Sequence, residues 1–201
     1  MNGIAKSRLS PGFLRAFLLP LLAAIAACSS GAAPPLQGAA IGGPIALTDQ
    51  DGRRFGDAQL EGRYRIVYFG FTHCPDVCPT DLAQIGQALR RFEKQDPAPA
   101  ARVQPLFITV DPERDTPAVL KDYVAAFHPR LVGLTGTPQQ IAGIGRDFGI
   151  YYAKEPSAGG GYVMNHSRLA FLFGPKGEPI ALLPHDRGAV AIAAELGRWV
   201  K

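Results

Sequence analysis

Apolar residues first cluster from Ala16 to Ala27, about twelve positions behind Lys6, Arg8 and Arg15. That run is short of the roughly 20 residues a helix needs to cross a bilayer, and with its basic lead it reads as an export signal over residues 1–27. Ser29 to Pro44 is rich in Ala, Gly, Pro and Ser, carries no charge and predicts a flexible tether over residues 28–44. From Ile45 the periodicity is that of a packed domain. Ile45–Thr48 and Arg53–Phe55 flank Asp51-Gly52, a hairpin signal. Arg65–Phe71 is nearly continuous in Ile, Val, Tyr and Phe and predicts a buried strand. Pro79 suits the first position of a helix, and Leu82, Ile85, Leu89 and Phe92 then repeat on one face. Asp96 to Pro105 predicts a loop and Leu106–Val110 a strand.

The second half continues the alternation. Thr116-Pro117 caps a helix to about Phe127, with Leu120, Val124 and Phe127 facing inward. Leu131–Leu134 is a short strand, and Thr137-Pro138-Gln139-Gln140 is a capping box for a helix to about Phe148. Ile150–Tyr152 predicts extended chain, with Tyr151-Tyr152 at core and rim, and Glu155 to Gly161 predicts a flexible loop. Arg168–Phe173 and Pro179–Leu183 flank a Gly174-Pro175-Lys176-Gly177 turn, and Ala189–Val200 closes as a helix. This order predicts one α/β domain over residues 45–201 with a thioredoxin-like fold: a central mixed sheet flanked by helices, with an N-terminal β-hairpin.

Charge changes the picture little. The net charge is +4, but setting aside Lys6, Arg8 and Arg15 leaves 18 basic residues against 17 acidic. A nearly neutral domain gives no electrostatic case for nucleic acid. Export implies an oxidising compartment, where an exposed thiol pair tends to close into a disulfide.

Candidate chemistry lies in the stretch Tyr68 to Pro79, YFGFTHCPDVCP, where Cys74 and Cys78 are spaced C-x-x-x-C. If they begin a helical turn, their Cα atoms lie roughly 6.2 Å apart on one face. That separation permits a Cys74–Cys78 disulfide, and it equally lets both sulfurs point at one ion. Cys78 before Pro79 is placed where the positive helix end favours thiolate. Geometry alone leaves a redox couple and a metal clamp open.

A metal clamp needs a further ligand. His73 adjoins Cys74 and reads as a hydrogen-bonding or surface residue, His128 as a partner of a helix C-terminus, and His185 as part of a polar turn. His166, in Asn165-His166-Ser167 after a glycine-rich loop, is placed to bring one imidazole to two thiolates. Such an S₂N set selects Cu(I), or Zn(II) if a fourth ligand is present; no obvious fourth ligand stands near the motif. Asp111, Arg114 and Asp115 read as an internal ion pair and helix cap, with partner docking or support of the site as the alternative.

Three motifs then carry a resemblance. Phe69 to Pro79 (FGFTHCPDVCP), Val110 to Pro117 (VDPERDTP) and Leu131 to Thr137 (LVGLTGT) resemble the Sco/SenC family, in its order, over about residues 45–200. The resemblance implies a thioredoxin fold and one copper per chain, Cu(I) and also Cu(II), held by Cys74, Cys78 and His166. It implies work on the copper centre of cytochrome c oxidase, with the copper-receiving subunit of that enzyme as partner, and a copper donor or thiol reductant upstream. Asn165 stands where the family usually has Asp, so it and Asp111 are the expected supporting residues; without the carboxylate, Cu(I) is expected to gain on Cu(II), or copper to be held less tightly. Ile25-Ala26-Ala27-Cys28 resembles a lipobox, implying lipid on Cys28 and extracytoplasmic membrane attachment; secretion without lipid and an uncleaved anchor are the alternatives.

The first functional expectation is a copper metallochaperone, needing Cys74, Cys78 and His166. The second is a thiol–disulfide oxidoreductase that reduces partner cysteines, needing only Cys74 and Cys78. A peroxidase is disfavoured because no T-x-x-C arrangement is present.

Overall fold

The computed structural model describes residue 3, residues 32–157 and residues 159–201. The expected export signal and Cys28 lie outside those residues. Among them the chain runs β1 (Ala46–Asp49), β2 (Arg54–Gly56), β3 (Tyr64–Gly70), α1 (Val77–Gln95), α2 (Pro97–Ala101), β4 (Val103–Thr109), α3 (Pro117–Ala125), β5 (Val132–Thr135), α4 (Pro138–Asp147), β6 (Tyr152–Pro156), β7 (Tyr162–His166), β8 (Ala170–Phe173), β9 (Pro179–Leu182) and α5 (Gly188–Trp199).

Seven strands form one mixed sheet in the order β2-β1-β5-β4-β3-β8-β9. Strands β3, β4 and β5 are parallel, while β1 joins β5 and β8 joins β3 antiparallel. Strand β3 is buried at every position, as its apolar run requires of a strand covered on both faces. Tyr68, Phe69, Phe107, Phe171 and Phe173 are fully buried here. Each such side chain contributes about 1.5–3 kcal/mol through burial. Helix α1 packs against α5, and α3 against β5. The caps act as the sequence implies: Thr116 Oγ1 accepts the Val119 N–H, and Thr137 and Gln140 form the capping box of α4.

Four segments depart from expectation. Residues 34–44 are not a free tether. The Leu36 N–H donates to the Ile180 carbonyl at 2.9 Å, the Gly42 N–H to Asp147 at 2.8 Å, and Leu36 and Ile41 pack on the core. Two large apolar side chains suffice to lay an otherwise bland segment down. The expected loop 96–105 instead holds α2 and the start of β4. Pro105 is tolerated there because β5 first pairs with β4 at Leu106, leaving the proline a strand on one side only. The expected loop 155–161 is shortened, since β6 and β7 form a separate hairpin extending to Pro156 and Tyr162.

His128 is the fourth departure. It is not a charged partner at a helix end but is buried, 3% exposed. Its Nδ1 accepts the Arg130 N–H at 3.2 Å, so that nitrogen carries a lone pair. Its Nε2 lies 3.5 Å from Glu93 Oε1 but forms no hydrogen bond among the described residues. Burial therefore outweighs the Glu93 charge and pushes the imidazole below its ordinary value.

A histidine with a lowered folded-state pKa binds its proton more weakly folded than unfolded. Its stabilising effect is present above the ordinary value of about 6.5 and is lost as pH falls below it. The expected outcome is a smaller loss of urea stability between about pH 7 and about pH 5.5 in His128→Asn, whose Oδ1 replaces Nδ1 as acceptor, than in the parent. Parallel curves for the two proteins would remove His128 from the acid response.

Candidate metal centre

The end of β3 delivers the chain into a tight turn before α1. The Cys74 N–H donates to the Phe71 carbonyl at 3.3 Å, closing that turn. Helix α1 starts at Val77 rather than Pro79, with Asp76 as N-cap. Pro79 is tolerated at the third helical position because the first four helical N–H groups have no partner within the helix in any case. Cys78 thus lies inside the first turn of α1 and Cys74 just outside it.

Both cysteines are free thiols, Cys74 9% exposed and Cys78 fully buried. The Cys78 N–H donates to Cys74 Sγ at 3.4 Å, so this helix-terminal amide faces the Cys74 sulfur. The expectation that the helix end favours thiolate at Cys78 is corrected accordingly: burial pushes its thiol up to about 12. A residue the sequence reading passed over makes room for that sulfur. A Cβ at Gly70 would lie 3.0 Å from Cys78 Sγ and 2.9 Å from the Phe107 ring.

His166, at the end of β7, reaches the same place. Its Nε2 lies 3.4 Å from Cys78 Sγ, and its ring stands edge-on to Phe71 at 5.8 Å. Its Nδ1 lies 2.9 Å from the Ser167 carbonyl oxygen. A carbonyl only accepts, so Nδ1 carries the hydrogen and Nε2 of the neutral ring presents its lone pair to Cys78. Burial pushes the imidazole down, against the Ser167 carbonyl, which raises it. The resting pair is therefore a thiol donating to a neutral imidazole.

Cys74, Cys78 and His166 are brought together, but among the described residues no three His, Cys, Asp or Glu side chains already stand as a closed metal cluster. The Cys74 sulfur is turned to the helix amide instead. The donor set still suits a soft monovalent ion: two sulfurs, an imidazole lone pair and a space kept open by Gly70. His73 is half-exposed, bonded to Thr72 Oγ1 at 3.1 Å, and His185 sits 3.7 Å from Asp81. Asn165 is exposed and donates to Glu155 Oε1 at 3.1 Å; the group that meets His166 Nδ1 is the Ser167 carbonyl.

Three fully buried carboxylates surround the centre. Asp115 accepts from the Thr72 N–H at 3.0 Å and from the Thr72 and Thr109 hydroxyls, fixing the chain just ahead of Cys74. Asp111 pairs with Arg114, as the sequence implies, and accepts from Tyr162 Oη at 2.7 Å. Burial first, and the Asp111 hydrogen bond next, push the Tyr162 phenol up to about 12. Arg114 Nη1 also donates to the Tyr162 carbonyl at 3.1 Å, with its guanidinium 3.9 Å from the Tyr162 ring centroid. The loop after β4 therefore grips both the cysteine turn and the hairpin that carries His166. Asp81, the third carboxylate, accepts from Tyr68 Oη at 2.8 Å and is paired with Arg168. It too was passed over, although its place between Cys78 and Leu82 on the apolar side of α1 was visible in the helical repeat.

A family model described as SCO1/SenC matches residues 33–201. The SCO1 homolog 1, mitochondrial, of Arabidopsis thaliana is 42% identical over 138 residues, covering 69% of this chain and 40% of that protein. The SCO2 homolog, mitochondrial, of Bos taurus is 46% identical over 144 residues, covering 71% of this chain and 53% of that one. The chain thus spans about half the length of these curated relatives. The structure of Bradyrhizobium japonicum ScoI with copper bound is 42% identical, with a TM-score of 0.72, over 80% of this chain and 99% of that one.

Gly70→Ala is expected to destabilise the domain by about 1–3 kcal/mol through overpacking. It is also expected to displace Cys78 Sγ, read as faster alkylation of Cys78 in the folded protein. An unchanged melting point and labelling rate would show that the sulfur does not need that space.

Proposed function

The chain belongs to the SCO1/SenC family, and on that premise we propose that it is a copper metallochaperone whose Cys74, Cys78 and His166 hold one Cu(I) in transit. The observation that carries this reading is the 3.4 Å approach of His166 Nε2 to Cys78 Sγ across the domain. Rotation of the Cys74 side chain away from the helix amide adds the second sulfur. Both thiols lose their protons as the ion enters, so loading releases two protons per copper. Burial of the two sulfurs, with the imidazole half-buried beside them, strips water from the ion, and the soft donor set rejects hard divalent cations. The same centre accepts Cu(II) under oxidising conditions.

The receiving partner is the copper-binding subunit of cytochrome c oxidase, and the upstream partner a copper donor or thiol reductant. The domain works on the extracytoplasmic side of a membrane, tethered by lipid on Cys28, with residues 1–27 removed on export. A thiol–disulfide exchange role is the second reading. It is favoured by two free thiols four residues apart at one helix end, of which Cys74 is the more accessible. Oxidation to a Cys74–Cys78 disulfide removes both sulfur ligands, so the two roles alternate rather than combine.

Titration of the reduced domain with Cu(I) against a competing chelator is expected to give one copper per chain. His166→Ala is expected to weaken binding by at least the roughly tenfold that loss of an outer-shell partner costs. Cu(II) is expected to give a sulfur-to-copper charge-transfer band that disappears in Cys78→Ser. A stoichiometry far from one overturns the single-site reading. Copper delivery that survives His166→Ala but not Cys74→Ser assigns the protein to thiol exchange.

A further inference from the structure

His166 and Cys78 sit on elements 88 residues apart in sequence, and a second tie joins those elements. Asp81 lies three residues after Cys78 on α1, and Arg168 lies two residues after His166. Arg168 Nε donates to Asp81 Oδ2 at 2.6 Å, and Nη2 donates to Oδ1, a bidentate grip. The carboxylate is fully buried, while the arginine side chain is 40% exposed. Tyr68 Oη donates to the same Oδ2, fixing Asp81 against β3 as well. The ion pair therefore runs alongside the Cys78–His166 contact, between the same two pieces of chain.

The residue between His166 and Arg168 explains what this tie controls. The Ser167 carbonyl receives His166 Nδ1–H, and its position sets both the tautomer and the aim of the ring. Among the described residues Ser167 is otherwise bound only toward the hairpin side: its N–H donates to the Tyr151 carbonyl at 2.8 Å, and its Oγ accepts the Tyr151 N–H at 3.0 Å. Those bonds fix Ser167 to the segment leading into β6, not to α1. The Arg168–Asp81 pair is what refers that carbonyl to the helix bearing Cys78.

We infer that Arg168, held by Asp81, is a positioning residue that aims His166 Nε2 at the Cys78 sulfur. The inference rests on the reading that Cys74, Cys78 and His166 hold copper. Among the described residues the Arg168 guanidinium hydrogen-bonds to Asp81 and to neither donor sulfur nor the imidazole; it acts through the Ser167 carbonyl. A lysine at 168 supplies the charge but not the two-pronged geometry, and is expected to restore only part of the effect.

The test is a thermodynamic cycle on the reduced domain, with Cu(I) titrated against a competing chelator. Arg168→Gln is expected to weaken Cu(I) binding by about 10–100-fold. In a His166→Ala background the same change is expected to have little further effect, because the ring it aims is gone. Arg168→Lys is expected to fall between Gln and the parent. In the metal-free protein, hydrogen exchange of amides 162–168 is expected to quicken in Arg168→Gln while that of β3 and β4 stays slow, which reads the tie without copper and without dependence on overall folding. Unchanged Cu(I) affinity in Arg168→Gln overturns the inference. An equal loss in the His166→Ala background overturns it as well, since the arginine then acts on the sulfurs or the fold as a whole. If His166→Ala alone leaves Cu(I) affinity untouched, it is the three-ligand reading that fails, and a quickened exchange in Arg168→Gln still reports the tie.

Discussion

The approach of Cys78 Sγ to His166 Nε2 closes a loop of 88 residues, and most of the buried polar structure bears on holding those ends together. Loop closure costs entropy that a single sulfur–imidazole contact does not return. The rest comes from ties on each side. Asp115 fixes the backbone before Cys74, Asp111 and Arg114 hold Tyr162 at the head of β7, and Asp81 holds Arg168 beyond its end. Each is a buried carboxylate with at least one partner from a distant segment, so each fixes a distance between pieces of chain as well as a local turn. Leaving any of them unpaired in the interior would cost far more than an exposed pair gains.

The centre itself depends on an absence of volume. Strand β3 ends in Gly70, and the space above it is where the Cys78 sulfur lies. Phe107 closes one side of that space, and Phe71 stands perpendicular to the imidazole. The apolar wall dries the sulfur and keeps it protonated at rest, which separates this thiol from one activated for nucleophilic attack. Cys74, with the helix amide at its sulfur, is the more exposed of the two. Two cysteines four residues apart thus occupy unlike environments, and their difference arises from the helix boundary falling between them.

Much of this was legible in the sequence. The apolar run of β3, the 3.6-residue repeat of α1, the Asp51-Gly52 turn and the Thr137 to Gln140 capping box are local signals, and each element formed where its own residues specify it. The Asp111–Arg114 pair was equally local. What escaped was set by distant partners. Leu36 and Ile41 become informative only when a domain surface is present to receive them. The β6–β7 hairpin is built over a glycine-rich loop whose composition signals only flexibility, and the Arg114 bond that ties it to the loop after β4 comes from 48 residues away. His128 reads as a helix-end residue until Glu93 and Arg130 are seen to enclose it. For the centre, spacing brought Cys74 and Cys78 together, but His166 came from resemblance, since no local rule reaches across 88 positions. Arg168 and Asp81 had no reason to be paired until the fold supplied one.

Selectivity and retention are governed by different parts of this architecture. On the proposed reading, two sulfurs and an imidazole decide which ion is accepted. How firmly the ion is kept depends on charge. At rest burial keeps the Cys78 thiol protonated and the His166 imidazole neutral. On the proposed reading, one Cu(I) on two thiolates leaves the pocket at minus one. That charge is added among three buried carboxylates, of which Asp111 and Asp81 each have an arginine and Asp115 has hydroxyl and amide donors. Like charges in a low-dielectric interior oppose the loaded state even where the metal–sulfur bonds are strong. The two arginines offset two of the three carboxylates and leave the third to neutral donors, so on the proposed reading the surroundings hold the donors in place while adding little attraction for the ion of their own.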